Sequence, residues 1–473
     1  MTPAGLQRMR YMLSDYVLLN LGWFTFNVVR YYSLPADWAG PIGGFLLLPS
    51  VILGQCVLPL LAIGLYAISG YYNRPYEKSR VDDVLNTAGV SALSALMMFF
   101  AVLVNDTIPE RLLNYQLLLI LWFLLAVPVY AGRYAVTASV KRAISSGRLR
   151  FATLVVGTGA RARAVAERIS RIPTAMGFDI IGFVAADGDC GADGDCGADG
   201  EYMSMEEACS LVRDGIVANV ILADENCDVS ETARLLGLFL PLHCSIYMAP
   251  DLYGLLTMRP RVNSVANEPL VNIGSAGVSA ATANMKRVGD VLLSALALVL
   301  LAPVYMVIAV AVKADSPGPA FYSQERVGYR GRRFMIRKFR TMHTDAEAAG
   351  PQLSSDGDRR ITRVGAVLRK YRLDELPQFW NVFIGQMSIV GPRPEREHYL
   401  RLIARKAPCV ELLHQVRPGL TSWGMVKFGY ARNVDEMVER LAYDMLYIEN
   451  VSFGVDLRIM LHTINTVLTG KGL

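Results

Sequence analysis

Four apolar stretches ahead of residue 140, and a fifth between Val291 and Val312, constrain this chain more than any other feature. The four lie near residues 11–34, 42–70, 84–104 and 115–136. Each is long enough to cross roughly 30 Å of hydrocarbon as a helix. Their combined length exceeds what the buried helices of a soluble domain would account for. The chain is 53% hydrophobic over 473 residues, and its mean hydropathy is +0.31. Residues 1–140 therefore read as a transmembrane four-helix region, with kinks expected at Pro49 and Pro59. The first apolar run is too long for a cleavable signal peptide and lacks a small-residue cleavage site.

Charge sets the expected orientation. Arg8 and Arg10 precede the first stretch, Arg74, Lys78 and Arg80 lie between the second and third, and Arg133, Lys141, Arg142, Arg148 and Arg150 follow the fourth. The loop from Asn105 to Asn114 carries only Arg111 against Asp106 and Glu110. The excess of Lys and Arg places the N-terminus and everything after residue 140 on the cytoplasmic side. The fifth stretch has Lys286 and Arg287 before it and Lys313 after it. A straight span would carry residues 313–473 across the membrane, against those charges. Pro303 removes a backbone donor near the middle and bends the helix. A re-entrant helix over 288–312, broken at Pro303, satisfies both observations.

The net charge of +5 lies mostly beside apolar segments, which favours anionic lipid and phosphate ligands over nucleic acid. Seven scattered cysteines without Cys-x-x-Cys spacing read as reduced thiols rather than a zinc site.

Residues 150–270 alternate between strand and helix patterns, the layout of a parallel α/β sheet. Strands are expected at Phe151–Val156, Asp179–Ala185, Val217–Ala223 and Cys244–Met248. Gly157, Gly159 and Ala162 match the G-x-G-x-x-G/A pattern after the first strand, and Asp187 follows the second. This reads as a Rossmann-like domain with Gly157 and Gly159 as candidate nucleotide-binding positions; a sheet that binds no ligand, or only a partner, fits equally. Residues 188–199 repeat Gly-Asp-Cys-Gly-Ala-Asp. With no closing Glu for a calcium loop, the repeat reads as a surface loop.

The densest chemistry lies between residues 322 and 421. Asp374 and Glu375 follow the basic run Arg369-Lys-Tyr-Arg and precede Gly391-Pro-Arg-Pro394. A carboxylate can attack phosphorus and form a covalent intermediate. Its acidic neighbour can hold a metal or manage a proton. Arginine binds phosphate through paired donors. Helix capping by Asp374 or Glu375 ahead of Pro377 is the plainer reading of the same residues.

Read in order, Lys286-Arg287-x-x-Asp290, the interrupted apolar helix, Tyr322-Ser-Gln-Glu-Arg-Val-Gly328 and Arg337-Lys-Phe-Arg-Thr-Met342 are joined by Asp374-Glu-Leu-Pro, Met387 through Pro394, and Arg417-Pro-Gly-Leu-Thr421. Over residues 284–473 this series resembles the bacterial monotopic phosphoglycosyl transferases, and the preceding spans and α/β domain are similar in layout to the long form of that family. The resemblance implies a mainly α catalytic domain over 284–473. It implies transfer of a sugar 1-phosphate, glucose or galactose 1-phosphate first, from a UDP-sugar to polyprenyl phosphate, with release of UMP. Asp374 would be the nucleophile, Glu375 its essential neighbour, and Mg2+ the cofactor, held by the two. Arg337, Lys338, Arg340, Arg393 and Arg417 are the expected phosphate-binding residues, with Arg326, Arg330, Arg332 and Arg333 facing lipid. A homodimer is expected by the same likeness. The chain departs from the pattern at Ala302-Pro303, where relatives often carry Ser-Pro.

Two other functions fit the layout less well. A membrane-anchored nucleotide-sugar dehydratase or epimerase needs a Tyr-x-x-x-Lys pair, and at that spacing Tyr322 meets Arg326 and Tyr371 meets Glu375. A non-catalytic scaffold for polysaccharide assembly would be expected to lose Asp374 or Glu375, and both are present. His343, His398, His414 and His462 show no ligand spacing and read as structural.

Overall fold

The computed structural model describes residues 3–33, 41–73, 75–76, 78, 80–102, 111–157, 159–171, 177–185, 202–223, 229–242, 244–249, 270–273, 278–344, 346, 358–429 and 431–469. Asp187 and the 188–199 repeat lie outside them.

Long helices at Pro3–Ser33, Pro49–Ile68, Arg80–Val102 and Arg111–Ser145 occupy the N-terminal third. They share one apolar core, which includes Trp23, Phe26, Tyr66, Leu121 and Leu125. Three segments, Pro49–Ile68, Val81–Ala101 and Tyr115–Ser145, are long and apolar enough to cross a membrane. The first helix, Pro3–Ser33, is not one of these three among the described residues, yet it packs into the same apolar core through Tyr11, Leu19, Trp23 and Phe26. Asp15, Asn20 and Asn27 interrupt its apolar run and lower its hydropathy.

Asp15 is matched by a partner. The Arg133 guanidinium, wholly buried, donates to the Asp15 carboxylate at 2.5 Å and to Thr87 Oγ1 at 2.8 Å. The Tyr72 hydroxyl donates to the same carboxylate at 2.6 Å. The guanidinium also lies over the rings of Tyr66 and Tyr71, 3.9 and 3.6 Å from their centroids. A charge this deep is tolerated only when its counter-charge and hydrogen bonds are supplied together.

The middle region is a six-stranded sheet: β1 (Phe151–Val156), β2 (Phe178–Val184), β3 (Tyr202–Met203), β4 (Asn219–Leu222), β5 (Ser245–Met248) and β6 (Val271–Asn272). Their order is β3-β2-β1-β4-β5-β6. The first five are parallel, and β6 runs antiparallel to β5. β1 and β4, central in the sheet, are runs of apolar residues such as Leu154, Val155, Val220 and Ile221, because both faces are covered. Two short edge strands, β3 and β6, carry no sequence signal long enough to be read. Gly157 ends β1 at φ +134° and donates its N–H to Val184 O, and helix Ala160–Arg171 follows.

Past residue 279 the apolar run forms two helices, Ala280–Leu300 and Ala302–Asp315, bent by 61°. The break falls at Leu301, and Pro303 sits in the first turn of the second helix, where its missing N–H costs nothing. A hairpin follows, β7 (Phe321–Val327) against β8 (Arg333–Phe339), pairing Tyr322 with Lys338. Short helices at Arg363–Lys370 and Gln378–Phe383 flank the carboxylate pair. A two-stranded parallel ladder, β9 (Ser388–Val390) and β10 (Gly419–Thr421), links two loops far apart in sequence. Helices Glu397–Lys406, Val434–Glu449 and Phe453–Leu468 complete the C-terminal core around Tyr399, Leu441, Tyr447 and Ile459.

Candidate active site

Asp374 and Glu375 lie in a single turn of 3₁₀ helix, Leu373–Glu375. It is entered through Arg372, whose φ of +53° is a left-handed conformation that a long side chain adopts at a cost. Helix Gln378–Phe383 begins at Pro377 without any side-chain cap, so neither carboxylate serves as the cap considered for that helix. The turn is tied to the apolar helix pair: the Tyr305 hydroxyl donates to Leu376 O at 2.8 Å.

Both carboxylates are buried, Asp374 at 8% and Glu375 at 5% exposure. Cations hold them there. Lys338 Nζ donates to Glu375 Oε1 at 2.7 Å, and Arg393 approaches the same oxygen at 3.7 Å. The two members respond oppositely. Burial pushes Asp374 above the usual carboxylate range; Lys338 opposes this and the Glu375 charge adds to it. Burial also acts to raise Glu375, but Lys338 and Arg393 together outweigh it and hold Glu375 low. One carboxylate is thus a fixed anion, and the other keeps its proton to higher pH.

A second buried carboxylate backs the first. Glu395 accepts from Arg440 at 2.6 Å and pairs with Arg326 at 3.4 Å and Arg393 at 4.0 Å. Arg393 therefore stands between Glu375 and Glu395. Sequence reading missed Glu395 and Arg440; an acid directly after Gly-Pro-Arg-Pro was the available signal. Arg326, expected at lipid, instead lies part-buried beside Glu395 and also donates to Pro394 O at 3.2 Å.

The proposed phosphate binders separate into four places. Lys338 and Arg393 join the carboxylate pair. Arg337 is exposed on the opposite face of β8, with its guanidinium over Trp380, because successive strand side chains alternate. Arg340 is buried and donates to Pro317 O at 2.5 Å, Ser316 O at 2.7 Å and Val312 O at 3.4 Å. These carbonyls belong to the end of helix Ala302–Asp315, so this cation caps a helix C-terminus. Arg417 donates to Gly385 O at 3.1 Å and lies over Tyr329. Gly157 and Gly159 lie in the turn between β1 and helix Ala160–Arg171.

Two glycines make the loops around Arg393 and Arg417 adjacent. A Cβ on Gly391 would lie 2.3 Å from Arg417 O, and one on Gly419 would lie 2.1 Å from Gly391 N. Only bare backbone fits on either side.

The described residues contain no group of three or more His, Cys, Asp or Glu suited to a metal ion. Magnesium is held elsewhere by one or two carboxylates plus substrate phosphates and water. The Asp374–Glu375 pair fits that mode, and a cage built wholly from protein ligands does not.

These features describe a membrane protein whose buried carboxylate pair is ringed by cations, a centre suited to phosphate groups. Residues 281–470 match the family described as bacterial sugar transferase. The chain is 41% identical over 186 residues to the UDP-glucose:undecaprenyl-phosphate glucose-1-phosphate transferase of Caulobacter vibrioides, covering 39% of this chain and 70% of that protein. It is 39% identical over 259 residues to the UDP-N-acetylgalactosamine-undecaprenyl-phosphate N-acetylgalactosaminephosphotransferase of Aeromonas hydrophila, covering 55% and 60%. It is 32% identical over 295 residues to the UDP-glucose:undecaprenyl-phosphate glucose-1-phosphate transferase of Escherichia coli K12, covering 61% and 62%. The chain belongs to the bacterial sugar transferase family. It spans less than two thirds of the length of the latter two relatives.

Proposed function

We propose that this chain transfers a hexose 1-phosphate from a UDP-sugar to undecaprenyl phosphate and releases UMP, at the cytoplasmic face of the bacterial inner membrane, in the first membrane step of surface polysaccharide synthesis. The observation that carries the reading is the buried Asp374–Glu375 pair, set against Lys338 and Arg393 on a turn hydrogen-bonded to the bent apolar helix. A lipid phosphate and a soluble nucleotide sugar can meet there.

An ionised Asp374 oxygen attacks the sugar-bearing phosphorus. The bond from that phosphorus to the bridging oxygen breaks, and the oxygen leaves with UMP. The lipid phosphate then attacks the same phosphorus and displaces Asp374, giving a polyprenyl diphosphate sugar. Arg393 and Lys338 stabilise the phosphoryl oxygens while charge shifts between them. Asp374 and Glu375 would hold magnesium, which would supply charge neutralisation for the diphosphate. Glu375, held ionised, keeps those cations in place. The bent helix pair enters and leaves the membrane on one side, so residues 316–473 remain with the soluble donor.

The relatives' names point to glucose and to N-acetylgalactosamine; UDP-glucose and UDP-galactose head the donor panel, and N-acetylated sugars complete it. The test measures UMP release with polyprenyl phosphate and magnesium, using protein in lipid particles, beside Asp374→Asn. Release with one sugar, abolished by the substitution, is expected. Folded protein that releases no UMP from any donor would overturn the reading.

A further inference from the structure

A cavity of about 530 Å³ lies away from the carboxylate pair, where the N-terminal helix, the six-stranded sheet and the C-terminal region meet. Its wall carries five cations, Arg8, Lys286, Arg287, Arg330 and Arg417, and one carboxylate, Asp290. That carboxylate accepts the Ile389 N–H at 3.0 Å and offsets part of the Lys286 and Arg287 charge, so the cations still outnumber it. Lys286 is paired with Asp456 at 2.5 Å. Arg8, Arg287 and Arg417 make hydrogen bonds to the backbone carbonyls of Asn73, Val382, Phe383 and Gly385. Carbonyl partners carry no net charge, so the wall stays positive. Burial, together with the nearby Arg417 charge, lowers the proton affinity of Arg287. Arg330 reaches the wall from a turn at φ +54°, again left-handed for a non-glycine residue.

We propose that this cavity binds a phosphate-bearing anion at a site separate from Asp374. The volume suits a nucleotide-sized molecule. The position, four residues ahead of the apolar run at Arg287, equally suits a phospholipid headgroup. Both present the same phosphate chemistry to the arginines. The site is connected to the reaction centre. Arg287 holds the carbonyls that end helix Gln378–Phe383, which starts three residues after Glu375. Arg330 tips the hairpin whose second strand carries Lys338.

The test needs no turnover, so it stands apart from the proposed transfer reaction. Full-length protein in phosphatidylcholine particles is titrated with inorganic phosphate and then UMP, and the melting temperature is followed. Arg393→Gln in every sample weakens phosphate binding at the carboxylate centre. Arg8→Gln and Arg330→Gly are compared with that background; glycine suits the backbone at 330 and keeps the turn. Each variant is expected to weaken phosphate or UMP binding by about tenfold, and added salt should weaken it further. In a second arm, phosphatidylglycerol replaces phosphatidylcholine. Stabilisation that appears only there, and that falls in the same variants, would assign the phosphate to lipid. Variants that match the background in both arms would overturn the site.

Discussion

Replacing Lys338 with methionine keeps most of the side-chain volume and removes the charge nearest the carboxylate pair. The ammonium lies 2.7 Å from Glu375 Oε1, and the Arg393 guanidinium lies 3.7 Å from the same atom. At an effective dielectric constant of about 20 these separations correspond to roughly 6 and roughly 4.5 kcal/mol of attraction before solvation is counted. Lys338 is thus the stronger partner, and loss of one member of a buried pair costs about 3–5 kcal/mol overall. Lys338 is also the main influence holding Asp374 down against burial. Its removal should raise the Asp374 proton affinity by about 1–3 pH units, the range an adjacent opposite charge imposes. On the acidic limb of the pH profile, each unit means about a tenfold loss of ionised nucleophile. The assay is kcat/KM for UMP release as a function of pH, which reports the free enzyme. Lys338→Met should move the acidic limb upward and regain activity at high pH, whereas Lys338→Arg should leave the limb near its original place. A loss of equal size at every pH would refute the reasoning and assign Lys338 to substrate contact alone.

Asp374→Asn should abolish UMP release yet raise the melting temperature by a few degrees. A group whose folded proton affinity is raised costs stability once it ionises, and amide replacement removes that cost above the Asp374 titration. The opposite sign holds for Glu375, which contributes stability at neutral pH that is lost as the pH falls through its depressed value; scanning calorimetry from pH 7 downward should show the loss in wild type and not in Glu375→Gln. Arg340→Ala should lower stability by about 2–4 kcal/mol, because buried carbonyls at the end of helix Ala302–Asp315 lose their charged donor; denaturant titration measures it, and a change under about 0.5 kcal/mol would contradict the capping role.

The long apolar runs, the strands β1, β2, β4 and β5 and the Asp374–Glu375 pair were readable because each carries a local signal. Hydropathy marks a span, a buried β-branched run marks a central strand, and two acids among many bases mark an anion site. The basic run from Arg333 to Arg340 was read as a sequence of like residues, and that blurred its roles. Strand periodicity already separates Arg337 from Lys338, since Phe334 and Ile336 are buried on the Lys338 side. Arg340 could not be assigned in this way, because its carbonyl partners come from a helix that ended more than twenty residues earlier. The same applies to Arg133. Its place in the charge tally at the end of the fourth apolar stretch says nothing of Asp15, 118 residues away, which it neutralises. The polar residues of the first helix, Asp15 and Asn20, are likewise matched by tertiary contacts that hydropathy does not register.

The bare-backbone contact between Gly391 and the Arg417–Gly419 segment has a practical consequence for heredity and for engineering. Neither loop can accept a side chain at that point unless the other retreats, so the two must be exchanged as one unit. A chimera that takes its Pro-Arg-Pro segment from a relative keeps this backbone contact only if the segment around residue 419 travels with it.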